Sequence, residues 1–154
     1  MSVLLTTKKI IKEWTDYNNH MNLSYYILVF DLGAEVILSK FQMGEDSAKT
    51  TKKSTMVVET HTTYNNEVKE NEEVNINLIF FDHDKKRLHF KLEMIEKSSK
   101  KLSATIEMIS LYVDLKERRV AEFEENKLEL MDNFISTNKS EFTSDLKFSS
   151  KLKK

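Results

Sequence analysis

The feature that most constrains the fold is an apolar stretch that runs from Leu23 to Met43. The stretch has no proline, and Gly44 follows it, where glycine often ends a helix. The pattern predicts one helix of about six turns. Apolar side chains such as those of residues 25–30 cover nearly every side of it. Because a helix that is apolar almost all round is a buried one, a strongly curved sheet must enclose it. Gly33, in mid-helix, predicts a kink or a close backbone approach.

The remainder of the chain supplies such a sheet. Residues 3–14 predict a first strand, and later segments alternate between apolar and polar residues: 54–65, 72–82, 87–96 and 102–114. Polar turns at 83–86 and 97–101 predict antiparallel hairpins, and residues 122–134 predict a short amphipathic helix. The sequence therefore predicts an α+β protein with an antiparallel sheet of five or six strands around one long buried helix. We expect one domain over residues 1–135 and a loosely attached, Lys/Ser-rich tail over 136–154.

Composition removes several classes of function. The 24 basic and 25 acidic residues nearly cancel, so nucleic-acid binding through phosphates is not expected. Without cysteine there is no thiolate nucleophile or cysteine-ligated zinc, and two glycines are too few for glycine-rich phosphate loops. Residues 1–7 do not resemble a signal peptide, and no apolar stretch is long enough to cross a membrane. We expect a cytoplasmic protein that does not bind membranes.

A polar segment, residues 14–22, lies between the first strand and the helix. Asp16 is the leading catalytic candidate, because a carboxylate near the positive end of a helix dipole stays ionised, as a base or nucleophile must. The alternative is a carboxylate that only stabilises the helix or a turn. His20 is expected to orient water, carry a proton or shape the loop. Asn18, Asn19 and Asn22 are expected in turns and at the helix cap, or as donors to an acyl oxygen. No metal site is predicted, since further ligands at a recognisable spacing are missing.

Other candidates lie further along the chain. Glu59, His61 and Tyr64 belong to the second predicted strand, where a buried carboxylate would need a partner. Glu107 raises the same question. His83 and His89 are expected to face solvent or lie in turns. Five aromatic residues lie in or near the polar segment or on the second strand: Trp14, Tyr17, Tyr25, Tyr26 and Tyr64. Packing in the core explains most of them. The alternative hypothesis is that they form a cation–π cage for a quaternary ammonium group.

With these residues in view, the chain resembles the hotdog thioesterases related to 4-hydroxybenzoyl-CoA thioesterase. It is most similar to the branch of betainyl-CoA thioesterases and thioesterase domains fused to carnitine dehydrogenases. The family segment Asp-Tyr-Asn-Gly-His-Met-Asn stands here as Asp16-Tyr17-Asn18-Asn19-His20-Met21-Asn22. Further matches are Glu59-Thr60-His61 with Tyr64, and Ser103-Ala104-Thr105-Ile106-Glu107. Asn19 replaces the family glycine, and asparagine tolerates a positive φ better than most residues.

The resemblance implies a hydrolase that cleaves acyl-CoA, acting on a betaine- or carnitine-type acyl group in the nearest branch. Asp16 would be the nucleophile or general base, His20 and Asn22 would position groups, and helix N-terminal amides would polarise the carbonyl. The substrate would contact the remaining candidates: Trp14, Tyr17, Asn18, Asn19, Tyr25, Glu59, His61 and Tyr64. Coenzyme A would be part of the substrate, with no other cofactor. The resemblance also implies a homodimer or homotetramer with sheets paired edge to edge and active sites at the subunit interface.

Two other functions fit the same fold. One is a non-catalytic acyl-CoA binding protein. The other is an enoyl-CoA hydratase, whose motif resembles Asp-x-Asn-Pro-x-His. Here Asp16 and His20 are four residues apart without proline, which favours the thioesterase. The sequence leaves open the acyl group, the choice between coenzyme A and acyl carrier protein, and the choice between dimer and tetramer.

Overall fold

The computed structural model describes residues 2–142 and 145–154, and within these residues the chain forms a six-stranded antiparallel sheet. The strands are β1 (Val3–Lys9), β2 (Lys53–Tyr64), β3 (Glu73–His83), β4 (Arg87–Glu96), β5 (Leu102–Asp114) and β6 (Arg119–Val120). The helices are α1 (Leu23–Lys40), α2 (Glu45–Thr51) and α3 (Glu125–Asn138). The strand order is β1-β3-β4-β5-β2, and β6 pairs with β5. The predicted α+β arrangement is confirmed, and β1 and β2 lie at the two edges of the sheet.

The core lies between α1 and the concave face of the sheet. Alternate residues of β4, such as Leu88 and Phe90, are buried in one cluster with α1. The helix contributes a stripe at helical spacing: Tyr26, Val29, Phe30, Gly33, Ala34 and Ile37. A Cβ at Gly33 would lie 2.6 Å from Cγ2 of Ile76 on β3. The predicted close backbone approach is confirmed, and it lets the helix lie directly on the sheet.

The opposite side of α1 is only partly covered. Leu23, Ile27, Leu28 and Leu32 are 37% to 59% exposed. The apolar character of the helix extends all round, whereas its burial within one chain does not. The described helices include none that is long and apolar enough to span a membrane.

Three features differ from the prediction: the end of β1, the end of α1, which lies at Lys40 instead of Met43, and the presence of helix α2. The strand predicted over residues 3–14 ends at Lys9, because a 3-10 turn at Lys12–Trp14 bends the chain away from β3. Gln42, with φ of 61°, takes the left-handed position after α1. Gly44 instead precedes α2, whose first N–H, that of Glu45, donates to Oε1 of Glu35 at 2.7 Å. Helix α2 was not predicted, because its sequence EDSAKTT has no apolar period.

The C-terminal segment is not the loosely attached tail that we expected. Helix α3 continues to Asn138, so the expected boundary at residue 135 falls inside a helix. Beyond it, Phe148 is buried and the N–H of Lys153 donates to Oδ2 of Asp84 at 2.8 Å. The segment 145–154 lies across the convex face of the sheet and is anchored there at several points.

The segment covers a buried, hydrogen-bonded pair of side chains, His89 and Glu107. Nε2 of His89 lies 2.7 Å from Oε2 of Glu107, and both side chains are 1% exposed. The N–H groups of Lys147 and Phe148 donate to the Glu107 carboxylate at 2.8 Å. Burial alone would raise the pKa of Glu107, but these two donors and the His89 ring together hold the pKa below its usual value.

The expectation that His83 and His89 face solvent is wrong. His89 lies under the C-terminal segment, and His83 is buried against α3, with Nε2 2.6 Å from Oδ1 of Asp132. Periodicity identified the convex face correctly but could not show that a distant segment covers it.

The buried pair gives a prediction about stability. Glu107→Gln should lower the free energy of unfolding by about 3 kcal/mol at pH 7, because it removes one partner of a buried pair. Glu59→Gln is the matched control: its carboxylate meets Lys151 of the same segment at 3.4 Å but is exposed, so a change within about 0.5 kcal/mol is expected. Urea unfolding measures both.

The pH dependence follows from the sign of the pKa shift. The folded pKa of Glu107 lies below the ordinary 4.5, so the stabilisation is complete above about pH 4.5 and is lost as the pH falls through the folded pKa. The difference between wild type and Glu107→Gln should therefore shrink in acid. A difference that is constant from pH 7 to pH 3 would contradict this account of the pair.

Candidate active site

The polar segment forms a closed loop in front of α1. Thr15 and Met21 form an isolated antiparallel bridge. Between them, the N–H of Asn19 donates to the Asp16 carbonyl at 3.0 Å, and the N–H of Asp16 donates to the His20 carbonyl at 3.1 Å. The N–H of Met21 donates to the Val68 carbonyl at 2.6 Å, which ties the loop to the chain that follows β2. Residues 16–20 are therefore held in one conformation.

The Asp16 carboxylate is held at the start of α1 by Asn22. Its Oδ1 accepts the N–H of Asn18 at 2.9 Å, and its Oδ2 accepts Nδ2 of Asn22 at 3.3 Å. The other amide atom of Asn22, Oδ1, accepts the N–H of Ser24 at 3.0 Å and caps the helix. The sequence left Asn22 and Ser24 as the two candidates for the N-cap, and Asn22 is the one that caps the helix. One side chain thus joins the half-buried carboxylate to the helix N-terminus.

A pocket of about 290 Å³ opens beside this loop. The residues that line it are His20, Met21, Leu23, Tyr26, Tyr64 and residues 65–67. Leu23 is the first residue of α1, and no group in the described part of the chain accepts its N–H. A residue that lines the pocket therefore has a free helix N-terminal amide, of the kind that binds a negatively charged oxygen.

Comparison with known proteins identifies the family. Residues 11–133 match the model of the thioesterase-like superfamily. The chain is also 31% identical to the betainyl-CoA thioesterase of Pseudomonas aeruginosa over 126 residues, which covers 80% of this chain and 79% of that protein.

The chain belongs to the thioesterase-like superfamily. It is thus a member of a family of acyl-CoA thioesterases, as expected. It is also 31% identical to the L-carnitine dehydrogenase/betainyl-CoA thioesterase of Rhizobium meliloti over 113 residues, 73% of this chain and 22% of that longer protein.

Solved structures show the fold. A protein of Staphylococcus aureus, SAV2348, solved in complex with CoA, is 21% identical and superposes with a TM-score of 0.80 over 100% of this chain and 95% of that one. The DHNA-CoA thioesterase of the same organism is 13% identical, with a TM-score of 0.79 over 90% of this chain and 93% of that one. The hotdog fold predicted for this chain is confirmed.

In this chain the five aromatic residues predicted for a cation–π cage do not lie together. Trp14 and Tyr25 stack on each other with centroids 6.3 Å apart, whereas Tyr26 and Tyr64 meet edge to face at 5.2 Å. Tyr17 is 93% exposed at the tip of the loop. Of the five, only Tyr26 and Tyr64 line the pocket.

Other predicted residues of the thioesterase lie apart from the loop. Glu59 and His61 are exposed on β2. His61 pairs in register with Glu107, which lies on the convex face, and Glu59, two residues away on the same strand, shares that face. Within one chain the structure does not bring them to Asp16. His20 is beside the pocket, with Nδ1 3.4 Å from the Met21 carbonyl. The described residues contain no group of three or more His, Asp or Glu side chains that could hold a metal.

Sequence reasoning did not name five of the pocket residues as site candidates: Met21, Leu23, Asn65, Asn66 and Glu67. Glu67 lines the pocket from a loop, where no periodicity marks it. A role for helix N-terminal amides was expected, but Leu23 was not named as the residue that carries the amide. The available signal was the polar run Tyr64-Asn65-Asn66-Glu67 directly after a strand.

Asn19 gives a second prediction. Its φ is 64°, the left-handed conformation expected where the family has glycine. Asn19→Gly should leave stability nearly unchanged. Asn19→Val should cost about 1–2 kcal/mol, because a β-branched residue clashes with its own backbone there. Thermal unfolding of both variants measures the effect.

The matched control is Asn18→Val, at the neighbouring exposed position, which is not among the residues with positive φ. It should cost clearly less than Asn19→Val. Equal costs at the two positions would show that backbone strain is not the cause.

Proposed function

We propose that the protein hydrolyses an acyl-CoA thioester with Asp16 as the attacking or activating carboxylate. The observation that carries the proposal is the hydrogen bond from Asn22 to Asp16, because the same Asn22 caps α1. A carboxylate fixed at the positive end of a helix lies next to the backbone amides that can bind an oxygen of the substrate.

The reaction has two balanced forms. As a nucleophile, Asp16 forms a C–O bond to the thioester carbon, the C–S bond breaks, and coenzyme A leaves as a thiolate that takes a proton. Water then cleaves the mixed anhydride. As a general base, Asp16 takes a proton from water, the hydroxide adds to the carbonyl, and the C–S bond then breaks. Both forms consume one water and release one acid and one thiol.

The N–H of Leu23 is the proposed oxyanion donor. Negative charge develops on the carbonyl oxygen in either form of the reaction, and a fixed backbone donor stabilises it. The N–H of Ser24 is occupied by Asn22, and that of Tyr25 donates to the Asn22 carbonyl at 2.9 Å. The first amide of the helix is therefore the free one in this turn.

The proposed acyl group is small and of the betaine or carnitine type. Two relatives at 31% identity are named for betainyl-CoA. The pocket volume of about 290 Å³ lies at the small end of ligand sites, which argues against a long acyl chain. A cytoplasmic location remains a prediction.

Asp16→Asn tests the proposal. Thiol release is followed with a panel of betainyl-, carnitinyl-, short-chain, long-chain and aromatic acyl-CoA substrates. For the substrates that the wild type hydrolyses, the kcat/KM of the variant should be at least about 100-fold lower, because the amide is neither a base nor a nucleophile. Asp31→Asn, the same change on an exposed part of α1, should leave the rate unchanged. Equal rates for wild type and Asp16→Asn would remove Asp16 from this role. No thiol release from any acyl-CoA by the wild type would favour a non-catalytic binding protein.

We propose further that two copies of the chain associate along β2. This edge strand has twelve residues, and Met56, Val57 and Val58 on it are exposed. A long apolar edge with unpaired backbone groups is a template for pairing, and an antiparallel pair of identical strands satisfies two-fold symmetry. The half-exposed leucines of α1 add apolar surface for a second copy.

Light scattering after gel filtration tests the pairing. Val57→Lys should shift the protein from dimer to monomer, because it places a charge on the paired edge. Leu4→Lys makes the same kind of change on the opposite edge strand, where Leu4 is 57% exposed compared with 52% for Val57. It should leave the dimer intact. A monomeric wild type, or loss of the dimer in Leu4→Lys alone, would refute pairing along β2.

A further inference from the structure

The pocket carries a carboxylate that catalysis does not use. Glu67 lines the pocket next to His20 of the Asp16 loop and is 56% exposed. Its nearest basic groups are distant for a hydrogen bond: Nε2 of His20 lies 3.8 Å from Oε2, and Nζ of Lys69 lies 3.7 Å from Oε1. Exposed pairs at this separation contribute little to stability. The carboxylate is therefore available to a ligand.

Two aromatic rings stand in the same pocket. Tyr26 is buried, and its hydroxyl donates to the Asn66 carbonyl at 3.5 Å, which fixes the ring. Tyr64 meets it edge to face and is 46% exposed. By surface area, the lining of the pocket as a whole is mostly apolar.

The wall that carries Glu67 is held from two sides. The N–H groups of Asn65 and Asn66 donate to the Ser103 carbonyl at 2.8 and 3.2 Å. On the other side, Val68 accepts the N–H of Met21, the residue that closes the Asp16 loop. The carboxylate is thus carried on a segment whose position relative to the catalytic loop is fixed by backbone hydrogen bonds.

Aromatic faces together with a carboxylate suit one chemical class of ligand. A quaternary ammonium group is attracted to aromatic rings and to negative charge, but cannot donate a conventional hydrogen bond. Its methyl groups also fit an apolar wall. A neutral branched acyl group would gain binding free energy from the apolar wall but not from the charge of the Glu67 carboxylate. That carboxylate would repel an anionic acyl group.

We propose that Tyr26, Tyr64 and Glu67 form the acyl-group subsite and that Glu67 selects acyl groups bearing a quaternary ammonium. The inference rests on the proposed thioesterase function and adds the residues that determine its specificity. Glu67 acts on the bound acyl group through charge and takes no part in breaking the thioester.

A pair of isosteric substrates tests the selection. Betainyl-CoA and 3,3-dimethylbutyryl-CoA differ only in a positively charged nitrogen that replaces a carbon. The wild type should hydrolyse the cationic substrate with a kcat/KM at least about tenfold higher. Glu67→Gln should lose most of that preference by slowing betainyl-CoA hydrolysis, while the neutral substrate stays within about twofold.

Two controls separate charge selection from folding. Glu70→Gln is the same change on the same loop at an exposed residue outside this pocket, and it should change neither rate. Tyr64→Leu should slow betainyl-CoA hydrolysis, and Tyr64→Phe, which keeps the ring, should restore it. A Glu67→Gln variant that slows both substrates equally would show a structural role and overturn the proposal, as would a wild type that prefers the neutral substrate.

Direct binding distinguishes this proposal from the proposed function. Tetramethylammonium chloride titrated into the wild type should shift the NMR resonances of Tyr26 and Tyr64, and the shift should weaken in Glu67→Gln. If no acyl-CoA is hydrolysed, the catalytic proposal fails, but this titration still decides the subsite. Absence of binding to the wild type, or binding equal in both proteins, overturns it.

Discussion

The two hydrogen bonds made by the Asn22 side chain are the constraint on which the site depends. Its oxygen caps α1, and its nitrogen holds Asp16. Aspartate and serine cap helices about as well as asparagine. An aspartate here would place a second negative charge against Asp16, and a serine would be too short to span both contacts. The amide is the side chain that offers an acceptor and a donor together, so helix start and carboxylate position are set by one residue.

The two faces of the sheet serve different purposes. The concave face packs α1, and the close approach at Gly33 sets how near the helix lies to β3. The convex face buries Glu107 and His89 beneath the C-terminal segment. Several anchors of that segment are backbone N–H groups that donate to the carboxylates of Glu107 and Asp84. Backbone N–H groups are present whatever the side chain is. A Lys/Ser-rich segment can therefore be anchored through its backbone although its sequence predicts a loosely attached tail.

The sequence predicted the elements whose signals are local. The alternation of β4 and β5 gave their bounds correctly, and the Asp16 motif located the loop, its cap at Asn22 and the positive φ at Asn19. What failed depends on distant partners. The burial of His89 requires residues 147 and 148, and the end of β1 is set by the point where pairing with β3 stops.

The pocket shows the same limit. Spacing could not tell that Tyr26 and Tyr64 share one pocket while Trp14 and Tyr25 stack elsewhere. Glu67 lies on a loop, where period-based signals are absent. Motif recognition therefore identified the residues proposed to do the chemistry. Of the residues proposed to choose the substrate, Tyr26 and Tyr64 were already candidates, and Glu67 became visible only when β2, the following loop and α1 were placed together.

The position of Tyr64 connects self-association with substrate choice. Tyr64 ends β2, the strand proposed to pair with a second copy, and it also forms a wall of the pocket. Pairing along β2 would cover its exposed flank and exclude water from the pocket. Since charges attract more strongly where water and salt are excluded, the Glu67 carboxylate would then hold a cationic acyl group more firmly. An isolated chain would keep the loop that holds Asp16, whose hydrogen bonds among the described residues lie within one chain, and would lose part of its selectivity.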